Sequence, residues 1–221
     1  MVNLDFYYFT FSTYLLMIGI AFIIAFILFY NITKKEYKKL DIFYVYVLNI
    51  FGFGIGAKIL SFLSSGKSLV LMNFFRSGYA FLGGILGSIV CVCLYCKKYK
   101  LEFEKLFSKF VVTYPLIYSI SKIGCWLNSC CSGEILNIPL QIVDSVVMFF
   151  LTLWLIKIKE SNRIHNFLFA FGTFRFLEDF IRVNRKLVFG VFSLDQIICI
   201  VFVIWGYIFM KKNKEKANAS E

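Results

Sequence analysis

Long apolar stretches dominate this sequence of 221 residues and restrict the folds open to it. A helix that crosses a bilayer needs about 20 mostly apolar residues, and seven stretches come close to that length. Charged residues make up only 17% of the chain and the mean hydropathy is +0.77, whereas soluble domains contain about 25% charged residues. We therefore expect an all-α, polytopic membrane protein with a single domain over residues 1–221. The seven predicted transmembrane helices cover residues 9–30, 42–64, 75–96, 110–127, 140–156, 167–182 and 192–210.

The positive charges lie in clusters between the apolar stretches, and their distribution predicts the orientation of the helices. Lysines and arginines are concentrated after the first, third, fifth and seventh stretches, at 34–39, 97–109, 157–163 and 211–216. By the positive-inside rule, the N-terminus faces outward and residues 211–221 form a charged cytoplasmic tail. The net charge of +11 is then explained by membrane topology, so we expect no nucleic-acid partner.

Three cations, Lys58, Lys122 and Arg175, fall inside predicted transmembrane helices. A charge in the hydrocarbon costs several kcal/mol, so it usually faces the protein interior or a water-filled cavity. For Lys122, which lies near the outer end of its helix, there is an alternative: the long side chain can extend to the lipid headgroups.

Arg175 belongs to a helical face that carries further charges. Asp179 is four residues on and Arg182 seven, so the three side chains share one face, with Glu178 beside them. One interpretation is a self-neutralised ion network that holds helices together. The other is a cationic lining for an anionic ligand in the outer half of the membrane, and both can be true.

Glycines recur in the second and third predicted helices, at 52–56 and 83–87. Small residues allow helix backbones to approach closely, and this packing role is one explanation. The alternative is that Gly83 and Gly84 leave room for a lipid headgroup to approach the backbone.

The segment 122–134 combines a cation, amides, thiols and glycines where the chain meets the outer surface. The cysteine count of seven is odd, so not all can pair; Cys130 and Cys131 face the oxidising side and could form a disulfide or react. The cysteines at 91, 93, 96 and 199 are expected to act as small hydrophobic residues. The only histidine, His165, lies across the membrane, so we expect no metal site.

A series of short motifs, from about Phe9 to Met210, resembles the prolipoprotein diacylglyceryl transferase family. Residues 14–17 resemble its Tyr-Gly-Leu-Met, residues 56–58 its Gly-Ala-Arg, and residues 77–84 its Gly-Gly-x-x-Phe-His-Gly-Gly. Residues 122–133 follow its signature Arg-x-Gly-Asn-x-x-Asn-x-x-x-x-Gly. Residues 139–144 resemble its His-Pro-Thr-Gln-Leu-Tyr-Glu, residues 174–182 its Phe-Arg-x-x-x-Glu-x-x-Arg, and residues 193–196 its Ser-x-Gly-Gln.

The resemblance implies a seven-helix enzyme of the bacterial plasma membrane that needs no cofactor. It would transfer diacylglyceryl from phosphatidylglycerol to the lipobox cysteine of a prolipoprotein, and cations would stabilise the departing phosphate. By motif position, Arg175 would bind the phosphate, Asp179 would orient it, and Lys122 would bind it from the opposite side. Tyr14 would be a further catalytic residue. The implied headgroup-binding residues are Asn128, Gly133, Gly83, Gly84, Lys58, Gln141, Asp144 and Arg182.

Several family positions carry other residues here. Leu82 and Ile138 replace the family's histidines, and Lys122 replaces an arginine. The remaining candidates for the proton acceptor are Tyr14, Asp144 and Asp179. The alternative function is that of an inactive or repurposed family member that binds anionic phospholipid. A transporter is a third possibility, but no repeated half with interrupted helices is visible.

Overall fold

The computed structural model describes residues 4–65, 74, 78–128, 133–135, 138–182, 187–188 and 190–218, and seven helices account for most of them. The helices are α1 (Leu4–Thr33), α2 (Lys39–Ser65), α3 (Phe81–Tyr99), α4 (Phe103–Leu127), α5 (Leu140–Lys157), α6 (Glu160–Ile181) and α7 (Leu194–Asn218). Two short antiparallel hairpins lie between helices. In the first, β1 (Glu134–Ile135) pairs with β2 (Ile138–Pro139), and in the second β3 (Leu187–Val188) pairs with β4 (Phe192–Ser193).

The all-helical prediction is confirmed, and six of the seven described helices are long and apolar enough to cross a membrane. The seventh is α6, which begins at Glu160 rather than at the predicted residue 167. Its 22 residues correspond to about 33 Å, enough for a hydrocarbon core of about 30 Å. It is less apolar than the others because it carries charged side chains, and those at 175, 178 and 179 are buried in the bundle. Helix α7 continues to Asn218, through most of the segment predicted as a tail.

Helix α4 lies at the centre of the bundle, where it contacts α1, α3, α5 and α6. Four of its buried side chains are aromatic, and two of these, Phe110 and Tyr114, are fully buried. The ring of Phe110 stacks on that of Phe29 of α1 with centroids 4.2 Å apart, and Tyr114 lies 5.9 Å from Phe167 of α6. Lipid is as apolar as these rings, so close packing rather than the hydrophobic effect favours their burial.

A buried hydrogen-bonded group links α2, α3 and α4 near the middle of the bundle. The Ser88 hydroxyl donates to Asn49 Oδ1, and the Tyr114 hydroxyl donates to the same oxygen over 3.2 Å. Polar contacts of this kind between membrane helices contribute about 0.6–2 kcal/mol. They hold α2 and α3 against the central helix.

Helices α2 and α3 meet along a seam of glycines. A Cβ atom added at Gly56 would lie 2.2 Å from the backbone oxygen of Gly83, and one added at Gly87 would lie 2.1 Å from a backbone oxygen of α2. At Gly84 the corresponding space is filled by the ring of Phe53, 2.5 Å away. The packing explanation therefore accounts for these glycines.

A buried lysine, Lys109 of α4, organises one end of the bundle. Its Nζ lies 2.5 Å from Glu36 Oε1 in the turn after α1 and 3.5 Å from Glu160 Oε1 at the start of α6. Lys105 binds the other oxygen of Glu36 at 2.9 Å. We call these four residues the Lys109 layer. Lys122 lies about 20 Å further along α4, so the two buried lysines of this helix lie towards its opposite ends.

We predict that Gly56→Ala lowers the free energy of unfolding by roughly 1–3 kcal/mol, because the methyl group forces the α2 and α3 backbones apart. Gly54→Ala on the same helix is the control. Nothing lies within 4 Å of its Cβ position and alanine favours a helix, so stability should stay the same or rise slightly. Unfolding of the detergent-solubilised variants, followed by circular dichroism, measures both effects. Equal stability of the two variants would contradict the close backbone contact.

We also predict an acid-sensitive contribution from Glu36. Burial acts to raise the pKa of Glu36, but hydrogen bonds and attraction from Lys109 and Lys105 outweigh it and leave the pKa below its ordinary value. Such a carboxylate stabilises the folded state above the ordinary glutamate pKa, and this contribution is lost as the pH falls through that value to the lowered one.

Glu36→Gln should therefore lower the stability at pH 7 by roughly 1 kcal/mol and flatten its decline on acidification. Glu104→Gln is the matched control, since Glu104 binds the exposed Lys212 at 2.7 Å and belongs to no buried layer. Chemical unfolding at a series of pH values tests the difference. The account fails if the acid profile of Glu36→Gln is the same as that of the unaltered protein.

Candidate functional site

Charged side chains from four helices meet in the half of the bundle opposite the Lys109 layer. They come from α4, α5, α7 and above all α6, whose inward face carries charges four and seven residues apart. We call this group the charged cluster; its members are Lys122, Asp144, Arg175, Glu178, Asp179, Arg182 and Asp195.

Arg175 lies inside the bundle and is only 5% exposed. Its Nη1 donates to Glu178 Oε2, and its Nη2 lies 3.4 Å from Asp195 Oδ2 of α7. The guanidinium lies 5.5 Å from the ring centroid of Tyr118. Its Nε is buried and has no acceptor among the described residues. The side chain is thus anchored on two sides and keeps one donor unused.

Lys122 is buried as well, and it approaches Arg175 from α4. Its Nζ forms an ion pair with Asp144 of α5, lies 3.7 Å from Glu178 Oε1, and lies 5.0 Å from the centroid of the Tyr118 ring. The lysine therefore does not extend to the headgroups, so that alternative is wrong. Lys122 and Arg175 share both Glu178 and Tyr118, which places the two cations in one site.

Asp179 connects the charged cluster to the start of α7. Its Oδ2 accepts a hydrogen bond of 2.6 Å from the Ser193 hydroxyl. Ser193 also caps α7: its Oγ accepts from the Gln196 N–H over 3.1 Å, and Gln196 Oε1 accepts from the Ser193 N–H over 3.0 Å. This is a capping box, and the Ser-x-x-Gln motif of residues 193–196 supplies it. It fixes Asp195, in the first turn of α7, beside Arg175 and Arg182.

The charged cluster holds three cations and, among the described residues, four carboxylates. Each cation lies within 4 Å of at least one carboxylate. The interpretation as an ion network between helices is therefore confirmed. The other interpretation, a cationic lining for an anionic ligand, stays a prediction, and it is compatible with the carboxylates that lie beside the cations.

Four other predicted residues lie on elements that lead into the cluster. Tyr14 of α1 packs on α4 beside Gly124. A Cβ atom added at Gly124 would lie 3.4 Å from the Tyr14 ring. Asn128 ends α4, and its buried Oδ1 has no partner among the described residues. Gln141 lies one turn before Asp144 on α5 and is also buried. The Gly133 carbonyl accepts from the N–H of residue 140 over 3.0 Å, and its φ of +151° suits glycine, so this position sets the start of α5.

Three predicted headgroup residues lie in other surroundings. Lys58 of α2 lies over the ring of Tyr79, with 4.6 Å between Nζ and the centroid. Gly83 and Gly84 face α2, whose atoms lie where a Cβ of either residue would stand, and their part in headgroup binding stays a prediction.

The two positions at which this chain lacks the family's histidines have different surroundings. Leu82 is buried in the apolar core at the start of α3, and Ile138 is 47% exposed on β2. Cys130 and Cys131, predicted to pair or react, lie outside the described residues.

The sequence patterns predicted no site role for Tyr118, Asp195 or Glu178. Tyr118 lies one helical turn before Lys122, and that spacing was the available signal. Asp195 lies within the Ser-x-x-Gln capping motif. The contact between Glu178 and Lys122 joins residues far apart in the chain, so no local pattern reveals it.

Comparisons with known proteins give one consistent result. The family model for prolipoprotein diacylglyceryl transferase matches residues 2–211. The phosphatidylglycerol–prolipoprotein diacylglyceryl transferase of Clostridium tetani is 25% identical over 219 residues, which cover 86% of this chain and 88% of that protein. The protein named transferase 2 in Clostridium perfringens is 26% identical over an aligned length of 234. The alignment covers 92% of this chain and 91% of that protein. The phosphatidylglycerol–prolipoprotein diacylglyceryl transferase of Chlorobaculum tepidum is 24% identical over 170 residues. The alignment covers 66% of this chain and 59% of that protein.

Proposed function

This chain belongs to the prolipoprotein diacylglyceryl transferase family, and we propose that it transfers the diacylglyceryl group of phosphatidylglycerol to the lipobox cysteine of a bacterial prolipoprotein. The observation that carries the proposal is the convergence of Arg175 and Lys122 on one carboxylate. Guanidinium and ammonium groups that share a carboxylate are also placed to share a phosphate, which accepts the same charge-assisted hydrogen bonds.

We infer that the protein lies in the bacterial plasma membrane with its N-terminus outward and its C-terminus in the cytoplasm. The Lys109 layer and the lysine-rich connections then lie at the cytoplasmic side, in accord with the positive-inside rule. The charged cluster, about 20 Å away along α4, then lies in the outer half of the membrane. This is the depth at which an outer-leaflet phospholipid and a peptide emerging from the membrane can meet.

The proposed chemistry is a displacement at carbon. The cysteine sulfur attacks the glyceryl carbon that carries the phosphate oxygen, a sulfur–carbon bond forms, and the carbon–oxygen bond breaks. The electron pair leaves with glycerol phosphate, whose negative charge increases as the bond breaks. Arg175 and Lys122 would stabilise that charge, and their burial in a site with little water would strengthen the effect.

The thiol proton needs an acceptor, and the candidates remain Tyr14, Asp144 and Asp179. A free thiol has a pKa of about 8.5, so a modest gain in ionisation is enough to produce the nucleophile. Among the candidates, Asp144 lies against Lys122 and Asp179 accepts from Ser193. His165 belongs to the other half of α6, ten residues or about 15 Å from Arg175 along the helix axis.

One observation favours the alternative of a lipid-binding protein without turnover. The family's histidine before the double glycine is replaced by Leu82, which is buried among apolar side chains. Under this alternative, phosphatidylglycerol binds at the charged cluster and no lipidated product forms.

The test is a transfer assay with the purified protein in nanodiscs that contain phosphatidylglycerol, with a lipobox peptide as acceptor. We expect a lipidated peptide that is detected by mass spectrometry. Arg175→Gln should reduce the rate about 100-fold or more, because a donor to the departing phosphate is lost.

Arg163→Gln is the matched control on the same helix. Arg163 lies at the opposite end of α6, where its Nε donates to the Leu155 carbonyl over 3.0 Å, so the rate per folded protein should change less than about twofold. No product at any peptide concentration, together with retained phosphatidylglycerol, would reject the transferase in favour of the lipid-binding alternative.

A further inference from the structure

Glu178 contacts all three cations of the charged cluster, and among the described carboxylates no other does so. Its Oε2 accepts from Arg175 Nη1, and its Oε1 lies 3.7 Å from Lys122 Nζ and 3.9 Å from Arg182 Nε. The other three carboxylates contact one or two cations each. Glu178 is only 3% exposed, so it occupies the centre of the cluster and not its rim.

The position of this carboxylate is the position that a lipid phosphate needs. A carboxylate and a phosphodiester each carry one negative charge over two oxygens, and both bind guanidinium and ammonium groups through charge-assisted hydrogen bonds. The buried Nε of Arg175, which has no acceptor among the described residues, adds a donor that Glu178 does not use. An anion with more acceptor oxygens than a carboxylate would satisfy it.

We propose that Glu178 is an internal counter-ion that occupies the phosphate position when no lipid is bound and turns away when a phosphodiester headgroup enters. The inference rests on the proposed function only in taking the ligand to be a phospholipid phosphate. It assigns Glu178 a part in setting lipid affinity, whereas the family motif at residues 174–182 leaves this position open.

Two physical requirements support an internal counter-ion. When no lipid is bound, Lys122 and Arg175 still need counter-charges, because both are buried and a buried charge that loses its partner destabilises a protein by about 3–5 kcal/mol. In the occupied site, the phosphate supplies the counter-charge, and Glu178 beside it would be repelled. The cluster already holds more carboxylates than cations, so the carboxylate and the phosphate compete for the same positive groups.

Tyr118 explains how the cations stay in place during the exchange. Its ring lies 5.0 Å from Lys122 Nζ and 5.5 Å from the Arg175 guanidinium, and its hydroxyl lies 3.5 Å from Glu178 Oε2. Cation–π contacts of this kind hold a cation with about 0.5–2 kcal/mol and need no carboxylate. The two positive groups therefore keep a common support when Glu178 moves.

The test compares phosphatidylglycerol binding to the full-length protein and to Glu178→Gln, both purified in zwitterionic detergent. We expect Glu178→Gln to lower the melting temperature of the lipid-free protein and to bind phosphatidylglycerol about tenfold more tightly. The rise in melting temperature on adding the lipid should be larger than in the unaltered protein. Free glycerol phosphate, titrated in parallel, distinguishes binding of a lipid headgroup from binding of a soluble phosphate.

Asp195→Asn is the matched control, because it removes the same charge from a carboxylate that is 24% exposed and contacts Arg175 at 3.4 Å. It should tighten binding less than about threefold. Equal effects of the two variants would mean that only net charge matters, and weaker or unchanged binding by Glu178→Gln would mean that the residue is structural; either result overturns the proposal.

Glu178→Asp keeps the charge but withdraws it from Lys122, so it provides a second test if the glutamine variant does not fold. It should bind phosphatidylglycerol more tightly than the unaltered protein, and unchanged or weaker binding would overturn the proposal. These are binding measurements, so they do not depend on detecting transfer. If Arg175→Gln and Lys122→Gln both retain full phosphatidylglycerol affinity, the phosphate site itself is wrong, and the proposed function fails with it.

Discussion

Lys122 and Arg175 lie inside this bundle beside carboxylates from three helices. An isolated charge in hydrocarbon costs several kcal/mol, and each lysine or arginine of the charged cluster avoids that penalty only through a neighbour such as Asp144 or Glu178. The same contacts join α4 to α5 and α6, and α6 to α7. The ion pairs that form the polar site therefore also contribute to the packing of these four helices.

The central helix α4 organises the molecule at three depths. Lys109 binds glutamates at one end, Tyr114 joins a hydrogen-bonded group near the middle, and Lys122 enters the charged cluster towards the other end. Polar contacts at separate heights fix the position of a helix along its axis in a way that apolar packing alone does not, because lipid competes equally well for apolar side chains. This fixed position also determines the height of Lys122, beside which we propose that the lipid phosphate binds.

Hydropathy predicted seven helices to within a few residues at most ends, because a chain in lipid must satisfy its backbone internally. It placed the starts of α4 and α6 too late, at 110 and 167 rather than at Phe103 and Glu160, because the first turns of both helices carry charged residues. Helical spacing predicted the shared face of Arg175, Asp179 and Arg182. It did not predict that Glu178 meets Lys122, because such contacts depend on how α4 and α6 pack, and no spacing within one helix encodes that.

The most direct measurement is an experimental structure of the protein with phosphatidylglycerol bound. The account predicts that oxygens of one lipid phosphate lie within hydrogen-bond distance, about 2.7–3.2 Å, of both the Arg175 guanidinium and the Lys122 ammonium. A phosphate that contacts only one of these groups, or that binds away from the charged cluster, would contradict it.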